Sequence, residues 1–292
     1  MNRIMSNGVG IATRVCAFGW LIASGVGCAM QPATEQDIQE ANGGEVTASS
    51  SEAISSYSST FFWSQGQAPV DMGPLTTQLC FLTRITGNFR GTGESVKVVH
   101  NTSTNRWELF GTSQQAGVAA SARCIPYDFS KWDWEKSWNS SQGDVDLGTR
   151  KACLMTRISG TFNGAGESIR TYRDGSNHWH IAGQAQSGSG VFGGFICLDA
   201  DPARPMNVSV GDPSFDQAAN GEHAIVFGFG NGANEPLTGP VCFLSRMTGN
   251  FRGGGERIAV YTTRSSIFNR WDWMINAAAN QAGVATSAVC FN

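Results

Sequence analysis

An eleven-residue phrase occurs three times in this chain: RITGNFRGTGE at 84–94, RISGTFNGAGE at 157–167 and RMTGNFRGGGE at 246–256. Each copy opens on Arg and closes on Glu. The flanks repeat as well. CFLTRITGNF, CLMTRISGTF and CFLSRMTGNF carry the start of the phrase, NRW, NHW and NRW follow it, and GVAASARC, GVFGGFIC and GVATSAVC close each copy. Repetition of this kind means one supersecondary unit used three times, and any fold must accommodate all three.

The repeated segments are short, rich in β-branched and aromatic residues, and separated by Gly, Asn, Ser or Thr, which reads as strands. No stretch after residue 58 sustains a helical period. Abundant Gly (36) with little charge (15%) fits a β-rich globular protein. The expected fold is all-β: three tandem antiparallel β-sheet repeats of about 65 residues, each with one disulfide. The boundaries read as repeat 1 at 59–130, repeat 2 at 131–199, a linker at 200–223 and repeat 3 at 224–292.

Alternation assigns the buried face. Cys80, Leu82 and Arg84 share a face, as do Glu94, Val96 and Val98, while Ser95 and Lys97, or Ser168 and Arg170, point the other way. Each copy then has one apolar face that needs a covering layer. Packing the three faces together predicts pseudo-threefold symmetry, β-prism- or trefoil-like. Three separate small β-sandwiches are the alternative.

Six cysteines fall in the repeats, one early and one late in each, 44, 44 and 48 positions apart. The repeat therefore pairs Cys80 with Cys124, Cys153 with Cys197 and Cys242 with Cys290. Such bonds persist in oxidising compartments. No CxxC or clustered Cys/His spacing suggests zinc.

If the phrase is a β-hairpin turning near residue 89, Arg84 stands directly across from Glu94, within ion-pair reach. The same reading pairs Arg157 with Glu167 and Arg246 with Glu256. These would be structural ion pairs, tolerable in an apolar face only because each Arg meets its own Glu. Gly87, Gly91 and Gly93 would supply the positive φ of the turn.

The first 28 residues read as a signal peptide, with Arg3 and Arg14 before a short apolar run. The sequence GVGC at 25–28 resembles the lipobox of bacterial lipoproteins, although Gly25 stands where that family carries Leu or Val. The resemblance implies lipidation of Cys28, with ordinary cleavage after Ala29 as the alternative. The run is too short to span a bilayer. Residues 29–58 are acidic and Ser-rich and read as a disordered tether. Residues 56–292 balance 18 basic against 18 acidic residues, so nothing favours nucleic acid as a partner.

The ligand-binding candidates are Trp132 and Trp134 in KWDWEKSW, which alternate onto one face and suit stacking on sugar rings, and His178 and His180 in HWH. The histidines read either as two metal ligands or as two solvent-facing side chains. With few His in the chain, the reading is no metal and no cofactor. Trp107, Trp179 and Trp271 read as core. GxSxG, HExxH and P-loop motifs are absent from the sequence. The expected function is a secreted or surface-tethered, non-catalytic binding module. It would be carbohydrate-binding (lectin-like), multivalent through its three repeats, and extracellular or in the bacterial cell envelope. Its partner would be a glycan or cell-surface polymer. A structural envelope or matrix protein and a secreted hydrolase are the alternatives.

Overall fold

The computed structural model describes residues 56–115, 117–127, 135–186, 190–199, 217–218, 222–231, 233–280 and 283–291. The signal segment with Cys28, most of the tether and of the 200–223 linker, and Trp132 and Trp134 lie outside the described residues.

The fold is all-β and antiparallel. The first copy supplies β1 (Phe61–Ser64), β2 (Val70–Pro74), β3 (Gln78–Thr86), β4 (Ser95–Asn101), β5 (Arg106–Thr112) and β6 (Ala119–Pro126). The second supplies β7 (Lys136–Asn139), β8 (Val145–Gly160), β9 (Ser168–Arg173), β10 (His178–Gln184) and β11 (Val191–Asp199). The third supplies β12 (Gln217–Ala218), β13 (Glu222–Asn231), β14 (Val241–Thr248), β15 (Arg257–Ser265), β16 (Arg270–Ala278) and β17 (Ala285–Phe291). β8 runs without a break through the stretch that β2 and β3 cover in the first copy. Among the described residues no helix is long and apolar enough to cross a membrane.

The copies do not each build their own sheet. β3 pairs with β6 of its own copy on one side and with β15 of the third copy on the other. β8 likewise pairs with β11 and with β4 of the first copy. β14 pairs with β17 and with β9 of the second copy. The strand after the phrase is thus always handed to the next copy. This corrects the hairpin expectation. The phrase is a crossover to the next copy, and Arg84 stands across from Ser121 and Ala259, not Glu94.

The crossovers meet at the backbone. Phe89 N–H donates to Phe251 O, Phe162 N–H to Phe89 O and Phe251 N–H to Phe162 O, each at 2.7 Å. The three rings pack edge to face with centroids 6.2–6.3 Å apart, and all three are fully buried. Edge-to-face contact suits the positive ring edge against the negative ring face. Gly87, Gly160 and Gly249 begin the crossovers with φ of +110°, +108° and +107°. A Cβ at these positions would lie 1.9–2.4 Å from the carbonyl of Gly117, Gly190 or Gly283, so both conformation and space require glycine.

The three disulfides join the expected partners, and each couples residues directly across a strand pair. The core includes Trp63, Trp107, Trp138, Trp179 and Trp273. Trp271, expected in the core, is only partly buried. Its place is taken by Trp273, whose indole N–H donates to Pro240 O as Trp107 donates to Gln78 O. The third copy's β15–β16 hairpin is longer, which shifts the tryptophan by two positions. In the linker stretch, β12 pairs with β17 as β1 pairs with β6, so the third copy begins before residue 224.

Candidate binding clefts between the copies

A β-bulge decides where the arginines of the phrase point. Register slips between Leu82 and Arg84, between Leu244 and Arg246, and opposite Thr156 in β8. One extra residue in each strand (Thr83, Thr156 or Ser245) reverses the alternation beyond it. Ile85, Ile158 and Met247 then take the core side, and Arg84, Arg157 and Arg246 come to the half-buried outer side. The glutamates stay on the other side. Glu94, Glu167 and Glu256 are fully buried and fold back over Gly91, Gly164 and Gly253, where a Cβ would meet a carboxylate oxygen at 2.7–2.9 Å. Gly91 and Gly93 therefore serve as space for the Glu94 and Gln114 side chains and do not supply positive φ. The three expected Arg–Glu ion pairs are not formed: Arg84 Nε donates to Thr86 Oγ1 at 3.1 Å, and Glu94 Oε1 accepts from the Gln114 backbone at 3.4 Å.

Each arginine instead lies beside a cation handed over by the preceding copy, in cyclic order. Arg157 stands directly across from Lys97, and Arg246 from Arg170. Across from Arg84 the corresponding residue is Ala259, but Arg257, two residues earlier on the same face, stands opposite Thr86 and restores the second charge. Like charges directly across a strand pair destabilise a sheet, yet two seams keep such a pair and the third keeps two cations on a diagonal. At the third–first seam, burial and then Arg257 push the Arg84 guanidinium below its ordinary value. At the first–second seam, burial and then Arg157 lower the Lys97 ammonium, while Glu135 acts in the opposite direction.

The third–first seam opens into a cleft of about 360 Å³ lined by Arg84, Arg257, Thr60, Thr83, Ser121 and Tyr261, among others. Arg257 is held in place because its Nε and Nη2 both donate to Asn276 Oδ1, at 3.2 and 3.0 Å, and Asn276 is itself buried. The second–third seam has a cleft of similar size, lined by Arg170, Arg246 and Asp144.

The HWH residues lie beside this second cleft. His178 Nδ1 is 3.0 Å from Asp146 Oδ2, which raises the imidazole above its ordinary value. His180 Nδ1 is 2.9 Å from Asp144 and its Nε2 is 3.5 Å from Asp174. Tyr172 donates to Asp144, stacks on His180 and lies under Arg170. The histidines are thus engaged by carboxylates. Asp146 also accepts from Gly148 N–H at 2.6 Å, as Asp71 does from Gly73 at 2.9 Å, so both aspartates cap turns. No group of three or more His, Cys, Asp or Glu suited to a metal occurs among the described residues.

The paired cations were not found from sequence, because the bulge hides which face the arginines take. The signal was Lys97 and Arg170 at one repeat position, with Arg257 displaced by two where Ala259 breaks the pattern. No family model matches the chain, and no curated protein and no solved structure matches it.

Proposed function

We propose that this protein is an exported, non-catalytic binding module that holds an acidic polymer, such as a glycan with acidic sugars, at the seams between its copies. The observation that carries this reading is the cation pair kept across every seam of a chain whose folded part is otherwise neutral. Among the described residues no carboxylate pairs with Arg84 or Arg257, which donate to the neutral Thr86 and Asn276. The cyclic strand exchange and the Phe89–Phe162–Phe251 cycle support a closed pseudo-threefold body over three separate sandwiches. Three disulfides are compatible with export.

A screen of the full chain against neutral and acidic glycans tests the reading. Binding should select the acidic ones and weaken as salt is added. Self-association without any glycan binding would favour the structural envelope reading instead. The exposed hairpin tip of Ile267 (84%) and Phe268 (56%) is the surface that would serve it.

A further inference from the structure

We propose that the third–first cleft binds the carboxylate of a uronate-type sugar, in the place that Glu135 fills with its own carboxylate at the first–second seam. This rests on the binding-module reading and names its ligand class.

Strand register makes the two seams directly comparable. Phe61 stands across from Ala122, and Lys136 stands across from Phe195, where Ala122 and Phe195 each lie two residues before the late cysteine. Thr60 and Glu135 therefore occupy the same position, as do Ser121 and Gly194, and Thr83 and Thr156. At the first–second seam Glu135 Oε1 accepts from Thr156 Oγ1 at 2.8 Å and acts on the Lys97 charge. Glycine at residue 194 leaves the carboxylate its present place: a Cβ there would lie 2.0 Å from the carboxylate oxygen, which would have to move aside.

At the third–first seam both positions change together. Thr60 is too short to place a carboxylate there, and Ser121 has a Cβ where Gly194 has none. The cations, the Thr83 hydroxyl and the cleft remain. The second–third seam has Asp144 in its cleft wall. Two seams thus have a carboxylate of their own beside the cations, Glu135 acting on Lys97 and Asp144 in the wall of the second–third cleft, whereas the third–first cleft is lined by two arginines with hydroxyl, amide and phenol groups. Guanidinium groups bind carboxylates by charge-assisted, often two-pronged hydrogen bonds. Arg84 and Arg257 are already oriented by Thr86 and Asn276, so little ordering remains to be done on binding. The flanking hydroxyls and Tyr261 suit a sugar ring carrying that carboxylate. The volume is at the low end of the roughly 300–1,000 Å³ usual for small-ligand pockets.

Isothermal titration of the full chain with trigalacturonate, and with the neutral galactose trisaccharide as control, tests this. The expected result is trigalacturonate binding that falls by about tenfold or more in Arg257→Gln. Thr60→Glu with Ser121→Gly should install the tethered carboxylate and abolish binding with little change in melting temperature. Glu135→Thr should open a second site and raise the stoichiometry. Unchanged affinity in both Arg257→Gln and the Thr60→Glu/Ser121→Gly chain overturns the assignment. Binding of the neutral trisaccharide alone overturns it while leaving the binding-module reading standing. Binding of neither sugar here, with no acidic glycan bound in the wider screen, overturns both.

Discussion

The amide of Phe89 donates to the carbonyl of Phe251 across 2.7 Å, so the first and third copies meet at the backbone of the recurring phrase. Phe162 closes the cycle with both. This contact replaces the turn that a hairpin would have placed there, and each following strand goes on to pair with a strand of the next copy. The copies are consequently interdependent, and damage at one crossover should be felt as loss of the whole.

Phe162→Ala is expected to cost about 3–5 kcal/mol, the range for emptying a buried aromatic site. Phe89→Ala and Phe251→Ala should cost similar amounts, because the three rings have equivalent surroundings. Urea unfolding measures it. Three unequal transitions, with only one displaced by the mutation, would show that the copies unfold separately.

Arg84 and Glu94 should be energetically independent. A double-mutant cycle of Arg84→Gln and Glu94→Gln is expected to give a coupling under about 0.5 kcal/mol. A coupling of about 2 kcal/mol or more would mean that the pair forms after all.

Removing one disulfide with Cys153→Ala and Cys197→Ala together should lower stability by about 2–4 kcal/mol. The bond closes a separation of 44 positions and ties β8, which leads into the second crossover, to β11. Thermal melting with and without reductant reads the same effect across all three bonds.

His178 should titrate above an isolated histidine, because Asp146 favours its charged form. The pair's contribution is full below the unfolded value of about 6.5 and is lost as pH rises through the raised folded value. At the acid end Asp146 is held below its ordinary value, first by Gly148 N–H and then by His178, so its share is lost as pH falls through that depressed value. NMR titration of the His178 ring checks this, and Asp146→Asn should return the midpoint toward the ordinary value. An unchanged midpoint in Asp146→Asn would remove Asp146 as the cause.

Much of this molecule was legible in the chain alone. The recurring phrase marked out related segments, alternation marked strands, and one cysteine early and one late in each segment anticipated the disulfides. Local pattern suffices for these because strand period and covalent partners are properties of short segments. Which strand pairs with which was not legible. The phrase reads equally well as a hairpin or as a crossover, and only the contacts among Phe89, Phe162 and Phe251, far apart in sequence, choose between them. The bulge at Thr83, Thr156 and Ser245 was hidden for a related reason: one extra residue reverses the faces beyond it and has no composition of its own. Tertiary structure therefore parted each Arg from its Glu, buried the Glu, and set the Arg beside a cation of another copy.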